Sequence, residues 1–496
     1  MNIETKMAKI FHFLSVNRIW AVLLIEFFER FSFFGVRCIL LLYMTQHFSF
    51  HDSDSFCMYS IFMALTYATS LMGAFISDYS LGYKRSIILG SVLMSIGYGC
   101  LCLPFLSAFY VGLSFIIVGS GLFKPNVTSL LGYLCLTLDN QRETIFTLFY
   151  TIINISAALS ALICGYIGQV YGWQWSFVLS FAAMSTGMLI FVRTEKNIPS
   201  SSQENRKEDH ATRIRKREVW CIILMFLSVL PTYYTLLTRY FLNYIMPFLG
   251  ILTLIFSAVI FYQSSREERK NLLAIFIVMS ISICFFALDE QGASSIALFS
   301  ARNVDRTFLG MNIAVGQLQA ITPLLIIVLG PLLACIWHSL RNRKGNSLSP
   351  LKIAAGLMFL GIGFGCLVTG TFFTGNKGQV SLFWVVLAYA CHVIGELLVS
   401  PVGLSTVTKL APRRVNSIVV SFWFIVLSFG NYLSGFVANF ASLSYSNRDA
   451  IPAEISLSIY HQAFIKMGIL SFIMSVFVFM LIPFIKSCFI RKEFQP

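Results

Sequence analysis

Glu26, Glu29, Arg30 and Arg37 stand inside one otherwise apolar run near residues 19–45. Four more charged residues are similarly placed: Lys124, Asp289, Glu290 and Glu396, with His392 one helical turn before Glu396. A carboxylate beside a guanidinium is a proton-transfer element. Neighbouring positive charge favours its ionised form and burial favours its neutral form, so it can change state when its partner moves. Clustered cations attract a ligand carboxylate, and a lone acid attracts an amine. Five acids, Glu26, Glu29, Asp289, Glu290 and Glu396, face three bases, Arg30, Arg37 and Lys124, leaving two excess acids for protons.

Helical spacing sharpens this pattern. At about 100° per residue, Glu26, Arg30, Phe33 and Arg37 fall on one narrow stripe, with Glu29 beside it. Each charge at the centre of a bilayer costs several kcal/mol unless it is paired or faces water. Four charges on one side of a helix therefore line a cavity. Static ion pairing explains it less well, because buried pairs rarely stabilise relative to apolar packing.

The elements that position these residues follow from composition. The 496 residues are 57% hydrophobic and 12% charged, with a mean hydropathy of +0.76. A soluble domain carries about twice that charged fraction. A membrane helix needs roughly 20 apolar residues, and about fourteen such runs recur along the chain. The least distinct pair is the seventh and eighth, with Arg239 in the turn between them.

The net charge of +14 reflects topology rather than nucleic acid. Lys and Arg gather in alternate loops: Lys6, Lys9 and Arg18; Lys84 and Arg85; Arg206 to Arg217; Arg266 to Lys270; Arg341 to Lys344; Arg413 and Arg414; Arg491 and Lys492. The loop around His47 to Asp54 has none. This positive-inside pattern predicts a multi-pass protein of the cell inner (plasma) membrane, with both termini cytoplasmic. No cleavable signal peptide is read in Met1–Arg18.

The twelve Cys and seven His are dispersed, and no spacing suggests a metal site, a disulfide framework or a catalytic constellation. An enzyme is therefore not expected, and neither is a metal or an organic cofactor.

A polar segment at 195–217 separates residues 1–194, read as a six-helix bundle, from a two-helix insertion at 218–268 and a second six-helix bundle at 269–496. The halves are weakly alike. Gly121, Lys124 and Pro125 in the fourth span correspond to Gly395, Glu396 and Pro401 six core spans later. Repeated halves with interrupted helices around a midplane site mark transporters. A channel fits this balanced internal charge less well.

The motifs resemble those of the proton-dependent oligopeptide transporter family, within the major facilitator superfamily. EFFERFSFFGVR (Glu26–Arg37) is similar to the family's ExxER first-helix signature. GAFISDYSLGYKR (Gly73–Arg85), GSGLFKPNV (Gly119–Val127) and FYTIIN (Phe149–Asn154) follow the family's order. So do ALDEQGASSIALFSARNVDR, GELLVSPVGLSTVTKLAP and FWFIVLSFGNYLSG in the second half. The insertion and the short loop at 375–379 suit a bacterial member.

The resemblance implies an all-α polytopic protein of two six-helix bundles plus the insertion, importing di- and tripeptides with protons by alternating access. It implies Glu26, Glu29, Arg30 and Glu290 as proton-coupling residues, with Lys124 and Glu290 a pair that forms and breaks. Arg30, Arg37 and Lys124 would receive the peptide carboxylate and Glu396 its amine. Tyr67, Asn126, Asn154 and Trp423 would add hydrogen bonds and apolar walls. Its partners would be peptides, protons and lipid, with no nucleic acid and the proton gradient as driving force, and a single chain would suffice.

Phe33 and Phe34 depart from the family's usual tyrosines; Thr322 stands before Pro323 where Asn is usual, Ala74 replaces a loop-motif Gly, and Asp289 stands where Glu is common. The alternative reading is proton-coupled transport of another small zwitterion or anion, such as an amino-acid derivative.

Overall fold

The computed structural model describes residues 17–135, 142–195, 211–238, 242–308, 310–344, 349–375, 378–412, 416–443 and 452–489. The basic residues Lys6, Lys9, Arg413, Arg414, Arg491 and Lys492, the turn residue Arg239, and 196–210 of the polar linker lie outside them.

Long helices dominate. They are α1 (Asn17–Leu42), α2 (Asp52–Ile76), α3 (Tyr83–Leu101), α4 (Leu106–Leu134), α5 (Arg142–Val170) and α6 (Trp173–Thr194). Then come α7 (Ala211–Thr238), α8 (Leu242–Tyr262), α9 (Arg266–Asp289) and the short α10 (Ser295–Arg302). The last five are α11 (Ile321–Lys344), α12 (Ser349–Phe372), α13 (Leu382–Leu410), α14 (Asn416–Ala438) and α15 (Ala453–Phe489). Among the described residues, twelve spans are long and apolar enough to cross a membrane. The 26-residue α1, too highly charged for that group, and the 19-residue α3 complete the expected fourteen. Among the described residues, strands are limited to two-residue pairings, Val304–Asp305 with Val380–Ser381 and Thr307–Phe308 with Met311–Asn312.

The helix ends follow local chemistry. Ser265 and Glu268 form a reciprocal capping box that starts α9. Gly82, at φ 76°, ends a π turn over Ser77–Leu81, and its N–H reaches the Ser77 carbonyl at 2.9 Å. A side chain there would be strained. The polar linker is shorter than its composition suggests, because Ala211 to Arg217 already belong to α7.

The chain divides into two compact units. One holds residues 1–39 and 65–238, the other 40–64 and 239–496. The two inserted helices are shared between them. In the first unit α7 packs on α3 and α4, where Met225 and Val229 join Leu93, Val118 and Leu122, and Tyr110 meets Tyr233 edge to face at 6.3 Å. In the second unit α8 lies on α14, with the Met246 sulfur 4.0 Å from the Ser428 hydroxyl.

Each unit brings two helices together at glycines. A Cβ on Gly90 of α3 would lie 2.7 Å from the Gly119 carbonyl of α4, and one on Gly97 would lie 2.6 Å from that of Gly112. In the second unit, a Cβ on Gly356 of α12 would come within 2.9 Å of the Gly395 carbonyl of α13. Small residues let membrane helices gain close van der Waals contact. The paired third and fourth helices of both halves use this device.

Candidate functional site

The rotation of α1 decides where its charges point. Ser32 donates to the Ser180 carbonyl of α6 at 2.7 Å, and Ser156 of α5 donates to the Phe27 carbonyl. Gly187 leaves room for Phe28, and Gly35 leaves room for Cys164 and Ser180. That face of α1 is therefore taken by α5 and α6. Glu26, Arg30 and Phe33 occupy another stripe.

On that stripe, Arg30 Nε lies 2.7 Å from Glu26 Oε1 and 3.1 Å from Glu29 Oε2. Both glutamates are buried, at 1% and 0% exposure, while the Arg30 side chain keeps 15%. The second oxygen of Glu26 and both oxygens of Glu29 have no hydrogen-bond partner among the described residues. A carboxylate offers about four acceptor sites, so Arg30 is the main support of two under-satisfied acids. Moving this one guanidinium would release both acids from their shared contact.

Lys124 of α4 is also buried, at 6% exposure. Its ammonium has no hydrogen-bond partner among the described residues. It stands over the Phe33 ring, 3.9 Å from the centroid, and 5.0 Å from that of Tyr67 on α2. Arg37, one turn beyond Phe33, lies 5.6 Å from the Phe34 ring centroid. Pro125 follows Lys124 and interrupts the hydrogen bonding of α4. The Asn126 amide nitrogen donates to the Leu122 carbonyl at 2.6 Å and reaches the Gly73 carbonyl of α2 at 3.5 Å. Asn154 of α5 donates back to Tyr150 at 2.9 Å.

Glu26, Glu29, Arg30, Arg37, Tyr67, Lys124, Asn126 and Asn154 thus all belong to the first unit. Three cations and two acids give this set a formal charge of +1 when all are ionised. Tyr98 of α3 also belongs here: its phenol is fully buried, and the charges of Glu29 and Arg30 act on it. Sequence reading passed over it, since an aromatic in an apolar run carries no visible signal.

Asp289, Glu290, Glu396 and Trp423 belong to the second unit. Asp289 ends α9, and Glu290 opens a 3-10 turn, Glu290–Ala293, before α10. Gln291 fixes this break. Its amide donates to the Ala287 and Ser434 carbonyls, each at 3.0 Å, and its oxygen accepts from Ser294 and Ser295. Glu396 lies in α13, half-buried. Trp423 of α14 meets Phe286 edge to face at 6.2 Å and covers Gly403. His392 is buried against Gly363 and Phe364, with no hydrogen-bond partner for Nε2 among the described residues. No cluster of three potential metal ligands occurs among the described residues.

Comparison with known proteins bears on the family and the fold. The POT family model matches residues 84–455. "Dipeptide and tripeptide permease A" of Citrobacter koseri is 31% identical over 464 residues, covering 92% of this chain and 90% of that protein. The crystal structure of tetrameric PepTSo2 is 26% identical with a TM-score of 0.82, covering 95% of this chain and 99% of that one. A structure described for substrate recognition in proton dependent oligopeptide transporters is 26% identical, with a TM-score of 0.81 and the same coverage. The fold is theirs, its helices span a membrane many times, and by a match across most of its length the chain belongs to the POT family.

Proposed function

We propose that this protein imports di- and tripeptides by proton-coupled symport with alternating access. The observation that carries this is the Glu26–Arg30–Glu29 cluster, two buried acids held by one guanidinium. A proton on either acid weakens its hold on Arg30, which is then available to a peptide carboxylate. The first unit presents that cation with Arg37 and Lys124. The second unit supplies the acids: Glu396 for the peptide amine, and Glu290 as a partner that Lys124 gains and loses over the cycle. Tyr67, Asn126, Asn154 and Trp423 line the ligand with polar groups and apolar walls. A zwitterion held by its two ends leaves its side chains unread, which gives broad specificity.

In this reading the protein is a transporter and not an enzyme. It works as a single chain in the inner (plasma) membrane, with both termini cytoplasmic, and needs no cofactor beyond the proton gradient. Purified protein in liposomes is expected to accumulate labelled dialanine under an inward proton gradient. Glu26→Gln should abolish accumulation while leaving peptide exchange. Unimpaired gradient-driven uptake by that variant would defeat the coupling assignment.

The rings of Phe33 and Phe34 favour a second reading, because they lack the hydroxyls that the family's usual tyrosines carry. Transport of another small zwitterion or anion, such as an amino-acid derivative, needs fewer such contacts. A thermal-shift screen of dipeptides, tripeptides and single amino acids separates the two. Stabilisation by amino-acid derivatives and by no peptide would favour the second.

A further inference from the structure

Lys124 is placed unusually for a buried ammonium. It has three N–H donors, yet no oxygen acceptor among the described residues takes any of them. What it does have is the face of Phe33 at 3.9 Å and, farther off, that of Tyr67 at 5.0 Å. An aromatic face is negative and attracts a cation within about 6 Å, most strongly where water is excluded. Phe33 is itself 1% exposed. Its neighbour Phe34 meets it edge to face, with interplanar angle 83°, which helps fix the ring's orientation. Phe33, Phe34, Tyr67 and Lys124 all belong to the same unit.

We propose that the Phe33 ring is a positioning residue, which holds the Lys124 ammonium as a cation without an oxygen partner, ready for a ligand carboxylate. The ring attracts the charge and offers it no lone pair. An arriving carboxylate therefore displaces no hydrogen bond from Lys124. A phenol at the same position would add an oxygen able to compete for the ammonium. The departure from the family's tyrosine thus keeps the cation open. The carboxylate half of this inference rests on the proposed peptide transport. The ring–cation half does not.

Fluorinated phenylalanines separate the two. Each fluorine drains the ring face with little change of shape, so a packing role and an electrostatic role diverge. Full-length protein is made with mono-, di- and trifluorophenylalanine at 33, with Lys124 intact and with Lys124→Met. Thermal unfolding in detergent should fall stepwise with fluorine number when Lys124 is present and stay level with Lys124→Met. The dissociation constant for dialanine should rise along the same series, by about tenfold at the trifluoro ring. Equal unfolding temperatures along the series with Lys124 intact would overturn the ring–cation contact. A falling temperature with an unchanged dialanine constant, in protein whose wild type transports dialanine, would overturn the ligand role alone. Failure of wild-type protein to bind or transport dialanine defeats the functional reading and with it the ligand role, while the unfolding series still decides the contact.

Discussion

Arg302 grips both oxygens of Asp52: Nη1 lies 2.6 Å from Oδ2 and Nη2 lies 2.8 Å from Oδ1. The first residue of α2 is thereby joined to the last residue of α10, 250 positions later. The Tyr460 hydroxyl lies 3.1 Å from the same Nη1, and the Leu443 N–H donates to Asp52 at 3.2 Å. This contact helps explain why residues 40–64, early in the chain, belong to the second unit.

The Asp52 side chain is 6% exposed and that of Arg302 is 29% exposed. Removing one member of such a pair leaves a poorly solvated charge, which costs about 3 kcal/mol. Asp52→Ala is expected to lower the unfolding temperature in detergent markedly. Asp52→Leu combined with Arg302→Met should recover part of that loss, because neither charge is then stranded. A double variant as unstable as the sum of its singles would show that the two side chains act separately.

The glycine crossings of α3 and α4 give a second prediction. A methyl group on Gly119 would meet the Gly90 carbonyl at 2.7 Å, where only backbone could yield. Gly119→Ala should therefore force the helices apart and cost stability by overpacking, about 1–3 kcal/mol. Gly330 in α11 has nothing within 4 Å of its absent Cβ. Gly330→Ala should leave the unfolding temperature unchanged or raise it, since Ala is the better helix former. Comparing the two variants in one thermal-shift experiment checks the claim.

How much of this was legible depended on distance along the chain. Glu26 and Arg30 are four residues apart, and helical geometry alone pairs them. Their cluster could be read from spacing, as could the anomaly of Lys124 within an apolar run. The partner of Lys124 could not, because Phe33 reaches it only when α1 and α4 pack, and a phenylalanine carries no polar signal. Asp52 and Arg302 were passed over because both sit at helix ends, where a charge is unremarkable. The insertion was read as one two-helix element. Of its helices, α7 falls in the first compact unit, where Met225 and Val229 share an apolar cluster with Leu122, and α8 falls in the second, a packing that hydropathy cannot assign. The surroundings of His392 were equally hidden, because Gly363 and Phe364 reach its ring only when α12 and α13 pack, and its Nε2 has no hydrogen-bond partner among the described residues.

The helix break at Glu290 gives the third prediction. Gln291 is fully buried and joins α9 to α14 through the Ser434 carbonyl. Gln291→Leu would take a donor from that carbonyl and the acceptor from the Ser295 hydroxyl, at about 1–3 kcal/mol for a buried polar group, while Ser294 keeps the Glu290 carbonyl at 3.1 Å. It should lower thermal stability and, by loosening the turn that presents Glu290, reduce maximal dialanine uptake. Gln291→Glu keeps the acceptor for both serines but loses the donor to Ser434. At neutral pH its buried carboxylate would face the Ala287 and Ser434 carbonyls, so it should be at least as destabilising as Gln291→Leu, and a variant equal to wild type would show that the Ser434 contact is dispensable.

Arg30 gives the sharpest test of proton coupling. Its Nε is the atom closest to both glutamates, at 2.7 and 3.1 Å. Lysine keeps the charge but offers a single compact head in place of a planar fork. From the same backbone position it cannot reproduce both contacts and still present donors to a ligand. Arg30→Lys is therefore expected to lose at least about tenfold in gradient-driven dialanine uptake, which is about 1.4 kcal/mol of coupling. Glu29→Gln separates charge from shape, because the amide matches the carboxylate in size and cannot take up a proton. If Glu29 carries the proton, Glu29→Gln should lose accumulation under a proton gradient yet keep counterflow of labelled dialanine against unlabelled peptide. If Glu29 only orients Arg30, both activities should fall together. Measuring both in the same liposomes distinguishes the roles, and full accumulation by Arg30→Lys would remove the guanidinium bridge from the mechanism.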